Sequence, residues 1–244
     1  MRRETPSFAL LLVGSWILKL ALTDDYKMYV KDSFGPFLVA AGALLVIAAI
    51  TGLVMTMRGA SVDHADHSEN TDVDDDHGHE HRSYVGWLLL APLLAFTLIA
   101  PRPLGAYSVE QAAGPPPPPA SQKFDPLPAG DPVSLTMRDF TSRSLWGQGK
   151  TLEGRTVKLV GFVTPRPSGG YYVTRLVIAC CAADALPVQV YVSGNAPDFA
   201  SNAWVAVEGT ATKPVRDETD SFDVAAIDAK SVTPTPAPDS PYEQ

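Results

Sequence analysis

Twenty-one consecutive residues without a charge, Phe37 to Met57 (FLVAAGALLVIAAITGLVMTM), constrain this chain more than any other feature. Crossing a bilayer as a helix takes roughly 20 mainly apolar residues, and this run supplies them. Two shorter runs flank it, PSFALLLVGSWILKLAL from Pro6 to Leu22 and YVGWLLLAPLLAFTLIA from Tyr84 to Ala100. Both read as further spans. Lys19 lies near the end of the first, where its long stem can carry the ammonium to the interface. Pro92 lies inside the third, where a kink is tolerated if the freed carbonyl finds a partner. For the first run the alternative is a cleaved signal peptide, because Arg2 and Arg3 precede an apolar core, but no small-x-small cleavage pattern follows. The expectation for residues 1–101 is an α-helical membrane region of three transmembrane helices, spans about 6–22, 37–57 and 84–100, seated in the lipid bilayer.

Basic residues beside the spans set the orientation. Arg2 and Arg3 place the amino terminus in the cytoplasm, and Arg58 and Arg82 flank the loop after the second span, against Lys27 and Lys31 in the first loop. Three crossings from a cytoplasmic amino terminus leave everything after residue 101 extracytoplasmic. The expected location is therefore the cell membrane, multi-pass. The net charge of −8 argues against a nucleic-acid partner, which needs a basic face.

That acidity is concentrated in the loop 58–83, which also holds all five histidines. The pattern is His64-x-x-His67 and His77-x-His79-x-His81, interleaved with Asp74, Asp75 and Asp76 among other carboxylates. Imidazole nitrogen with carboxylate oxygen suits zinc or another divalent cation, and the segment is too polar to build a core. Without fixed geometry, such a tract is a buffer or sensor. A solvated acidic connector is the competing reading.

Residues 102–132 form a Pro-rich linker whose five consecutive prolines, Pro115–Pro119, favour an extended, semi-rigid spacer. From 133 to 233 the pattern changes to short Val- and Tyr-rich runs bounded by Gly, Pro, Asn or Asp: TVKLVGFVT, YYVTRLVIA, PVQVYVS, AWVAVEGTAT and FDVAAIDAKSV. Gly169-Gly170 marks a turn between the first two. A short helix is predicted over Met137–Leu145, with Thr136 as N-cap. Five strands and a helix predict a small all-β barrel, OB-like, followed by a Pro-rich tail over 234–244.

Both cysteines, Cys180 and Cys181, sit side by side near the end of the second of these runs. Neighbouring side chains on a strand point to opposite faces, so the pair can hold one ion only if the strand stops here. Ala182-Ala183-Asp184-Ala185 breaks the β pattern, and a turn at Cys181 would bring Asp184 toward the thiols. Two thiolates and a carboxylate leave a position of a four-coordinate zinc site open. A vicinal disulfide in an oxidising compartment and simple burial of one cysteine are the alternatives.

The block RLVIACCAADALPVQVYV, followed by NAWVAVEGTAT and the closing SPYEQ, resembles a family of bacterial membrane proteins described as two-component permease complex subunits. The resemblance runs from end to end, with its signature at Cys180, Cys181 and Asp184 and with Arg175 upstream. It implies a non-enzymatic accessory subunit of a membrane permease complex, whose carboxy-terminal β domain binds or docks and whose partner is a multi-span permease subunit. It supplies no catalytic residue. The alternative is a metal-handling membrane protein that uses the histidine loop and the paired cysteines. A thiol enzyme is disfavoured, since the barrel region has no histidine and the Cys-x-x-Cys spacing is absent.

Overall fold

The computed structural model describes residues 5–58, 103–112, 114, 118–119, 123–194, 196–218 and 221–244. The chain divides into two compact units. One holds the two amino-terminal helices. The other holds residues 27–32, from between those helices, together with the described chain from Pro103 onward.

In the first unit, α1 (Thr5–Leu22) packs along α2 (Gly35–Met57). Their backbones come close at Gly14 and Gly42. A Cβ at Gly14 would stand 2.9 Å from Leu45 Cβ, and one at Gly42 would stand 3.2 Å from the Gly14 carbonyl. Small residues at such a crossing are how apolar helices associate where no water drives them together. Along α2, Thr51 and Thr56 return their hydroxyls to the carbonyls of Ile47 and Gly52, so neither adds an unpaired polar group to the apolar surface. Phe37, Leu44, Ile47 and Met57 are each more than 60 % exposed.

Three spans were expected. Among the described residues one helix is long and apolar enough to cross a membrane, Asp32–Met57, which is α2 and its lead-in turn. The 18 residues of α1 reach about 27 Å at 1.5 Å each, the short end of the roughly 17–25 residues a span uses. Its end is fixed by Thr23, Asp24 and Asp25, where Asp24 adopts a positive φ of 61°. The third expected span, 84–100, lies outside the described residues.

The second unit is a closed five-stranded barrel. Its strands are β2 (Thr156–Pro165), β3 (Tyr171–Val177), β4 (Leu186–Gly194), β5 (Trp204–Arg216) and β6 (Asp223–Pro234). Around the barrel the order is β2-β5-β6-β4-β3, and β3 pairs back to β2. Every pairing is antiparallel except β4 with β6. Closure depends on β2 serving two partners, its first seven residues on β5 and its last four on β3, with Phe162 common to both. Gly161 stands at that handover. A Cβ there would come within 2.6 Å of the Thr174 carbonyl and 2.7 Å of Val173, so only glycine lets β3 approach.

Alternating Val, Leu and Ile fill the interior: Val157, Leu159, Val173, Val190, Val207 and Ile227 are all inaccessible to solvent. The predicted helix is present as α4 (Met137–Leu145), preceded by the two-residue strand β1 (Val133–Ser134). It packs Met137 and Phe140 into the same core. Thr136 caps it, its hydroxyl accepting from the Asp139 N–H at 3.0 Å.

The segments expected as linker and tail both contribute structure. Within the linker, α3 (Ala106–Gln111) buries Ala106 and Val109 against Phe162, Leu176 and Tyr242. The chain end forms β7 (Tyr242–Glu243), parallel to β3. Glu243 accepts the free N–H groups of Met137 and Arg138 at 2.7 and 3.0 Å, which adds a carboxylate at the positive end of α4.

Candidate functional site: the thiol–carboxylate turn

β3 ends at Val177, so the cysteines stand beyond the sheet on the connection to β4. A single 3-10 turn, Ala182–Asp184, follows them. Asp184 organises this connection. Its Oδ1 accepts from the Ala179 N–H at 2.8 Å, and its Oδ2 accepts from Cys180 and Cys181 at 2.8 and 3.3 Å. The Cys181 sulfur accepts in return from the Asp184 N–H, a reciprocal cap across the turn. Backbone that would otherwise lie along one line is wrapped around one carboxylate.

The consequence is convergence. The two sulfurs lie 3.6 Å apart, and one ligand atom from each of Cys180, Cys181 and Asp184 falls within 4.8 Å of the others. Both cysteines are free thiols, Cys180 exposed and Cys181 half-buried. The hydrogen bond to Asp184 pushes the Cys180 thiol up to about 12, with Cys181 adding to the effect. The same thiol contact, with the N–H groups of Ala179 and Cys180, holds the Asp184 carboxyl down at about 2. At neutral pH the site is therefore a carboxylate beside a protonated thiol.

An unexpected neighbour completes it. Residues 27–32 run antiparallel to the cysteines, with Val30 opposite Cys181. Lys31 N–H donates to the Cys180 carbonyl at 3.0 Å, and Ala182 N–H donates to the Tyr29 carbonyl at 2.7 Å. Tyr242 fixes the same strip, its hydroxyl donating to the Met28 carbonyl at 3.1 Å and accepting from Leu104 N–H at 3.2 Å. Nothing local in the sequence signals a pairing between residues 150 positions apart.

Arg175, grouped with the cysteines at the sequence level, serves a different contact. Its guanidinium stacks over Trp204 at 5.0 Å, donates to the Ser240 carbonyl at 3.1 Å and lies 3.8 Å from Glu243. Burial lowers its pKa and Glu243 opposes this. It anchors the chain end to β3. The other expected metal ligands, His64, His67, His77, His79, His81, Asp74, Asp75 and Asp76, lie outside the described residues.

Fold and site together define a helix pair, one helix of membrane-spanning length, joined to a small β-barrel that carries an exposed thiol–carboxylate turn. The chain carries both domains of DUF1980, an uncharacterised family: residues 7–113 match its N-terminal domain and residues 141–243 its C-terminal domain. The site falls in the second of these. No curated protein and no solved structure matches the chain.

Proposed function

We infer that the chain is a non-enzymatic accessory subunit of a membrane permease complex, anchored by its apolar helices and presenting the barrel as an extracytoplasmic binding module. The observation that carries this reading is the contrast between the units. The helix pair is packed shut at Gly14 and Gly42 and is apolar on its outer faces, so it encloses no polar path and is suited to anchor and dock. The barrel holds the polar chemistry. Its strand order and parallel β4–β6 pair fit an OB-like module. The resemblance to two-component permease subunits supplies the partner, a multi-span permease.

Connectivity supports a three-span topology. Met28, between α1 and α2, and Leu104 both bond the Tyr242 hydroxyl, which favours the two points lying on one face of the membrane. A chain that crosses at α2 then has to recross before Leu104, and the apolar run 84–100 is the segment assigned to that crossing. Charge places this face outside.

Affinity purification of the full chain from cross-linked membranes tests the partner; recovery without any multi-span protein sinks the permease reading. A membrane-impermeant maleimide applied to intact, reduced cells tests the topology. At raised external pH, where the thiolate fraction grows, labelling of Cys180 is expected, and labelling only after lysis inverts the assignment.

A further inference from the structure

We propose that Cys180, Cys181 and Asp184 form an open binding site for a soft divalent cation of the zinc class. The inference goes beyond the permease reading and stands whether or not such a partner exists. Three observations converge on it. First, two sulfurs bound to one tetrahedral zinc at 2.3 Å each stand roughly 3.8 Å apart. The separation here, 3.6 Å, is close to that spacing and far above the roughly 2.05 Å of a disulfide.

Second, the carboxylate has capacity left. An ionised carboxylate offers about four lone-pair sites, and Asp184 uses three for the N–H groups of Ala179, Cys180 and Cys181. The Cys180 thiol hydrogen-bonds the same carboxylate. A cation entering there displaces thiol protons to solvent and replaces S–H···O with sulfur–metal–oxygen bonding, without disturbing the backbone bonds that shape the turn.

Third, the site has an outer shell already in place. Lys31 N–H on the Cys180 carbonyl and the Tyr29 carbonyl on Ala182 N–H hold the ligand-bearing peptides from the far side. Outer contacts of this kind orient metal ligands. Three protein ligands with one exposed member leave a coordination position for water or for a ligand from another molecule, the arrangement of a site that exchanges its ion.

The test uses the full chain, reduced and in detergent, titrated with Co²⁺ and then Zn²⁺. A thiolate–cobalt charge-transfer band is expected, saturating at one ion per chain and lost when Zn²⁺ is added. This band separates sulfur ligation from any binding by histidine, so replacing all five histidines with alanine should leave it intact. Cys180→Ser and Cys181→Ser should each abolish it with unchanged far-UV circular dichroism. Lys31→Pro, which removes the N–H donor to the Cys180 carbonyl, should weaken cobalt binding about tenfold. A fully reduced wild-type chain with no such band overturns the proposal, as does a band that survives Cys180→Ser.

Discussion

β3 is bounded by two turns that solve the same problem in opposite ways. At its start, Gly169-Gly170 reverses the chain with φ values of 97° and 76°, and the side chains around it are consumed by one another. Arg166 lies over the rings of Tyr172 and Tyr191 at 5.8 and 4.9 Å, forms an ion pair with Glu218, and Glu218 also accepts from Ser168 at 2.8 Å. At its end, the cysteine turn spends its backbone on Asp184 and on residues 27–32, and gathers two thiols and a carboxylate against one another with Cys180 exposed. The first turn is closed by its side chains. The second is held by one carboxylate and by peptides, and its ligand-type side chains converge at the surface, the condition a binding site needs.

If that contrast is sound, changes at the first turn should be read in stability and changes at the second in chemistry. The largest effect is expected from Gly169→Ala with Gly170→Ala. A left-handed backbone costs a residue with a Cβ roughly 1–2 kcal/mol, so the pair should lower the barrel's melting temperature by several degrees, followed by near-UV circular dichroism. Arg166→Ala comes next. It removes two ring contacts and the Glu218 pair, and a loss of about 1–2 kcal/mol is expected. Tyr242→Phe should cost about 1 kcal/mol, because Leu104 N–H and the Met28 carbonyl each lose a partner. Its specific mark is faster amide exchange at Leu104, which a purely apolar role for the ring does not predict.

How much of this was legible beforehand follows from where the interactions lie along the chain. The five strands and α4 are written locally, in alternating Val and Tyr and in Thr136 three residues before Asp139, and they appear within a few residues of expectation. β5 runs on to Arg216 through Pro214, with bulges that let the strand continue. That β3 stops before Cys180 was written in Ala182-Ala183-Asp184-Ala185. The three donors gathered by Asp184 were not, since they depend on a bend that no propensity specifies. β7, the Glu243 cap on α4 and the strip 27–32 are contacts over roughly 65 to 150 residues, invisible to any window of pattern. Arg175 shows the converse. Adjacent in sequence to a signature, it is buried among Trp204, Ser240 and Glu243 and belongs to the architecture.

The smallest structural effect and the sharpest chemical one should coincide at Asp184→Asn. The amide keeps one acceptor oxygen, enough for the Cys180 and Cys181 N–H groups, and gives up the bond from Ala179, about 1 kcal/mol, so the melting temperature should move no more than for Arg166→Ala. If it falls further, Asp184 is architecture and the two turns are not different in kind. The thiol should respond strongly. In the wild type the carboxylate hydrogen-bonded to Cys180 is the leading cause of a pKa near 12, so at pH 7 the reactive thiolate is scarce and maleimide labelling at Cys180 is slow. Removing the negative charge removes that cause, the thiol pKa falls, and labelling at pH 7 accelerates. Mass spectrometry of the Cys180 peptide across pH 6 to 10 reads this directly. The wild-type rate should climb through the whole range, tenfold per pH unit and without a plateau, while the variant's rate should be higher at every pH and level off earlier. The linked prediction for the folded state has the opposite pH sense. The Asp184 carboxyl lies at about 2, below its ordinary 3.8, so its contribution to the turn is fully present above pH 4 and is lost as pH falls toward 2. Amide exchange at Ala179, Cys180 and Cys181, corrected for the intrinsic pH dependence, should lose protection over that acid window in the wild type. In Asp184→Asn, which has no carboxyl to protonate, the protection should stay flat.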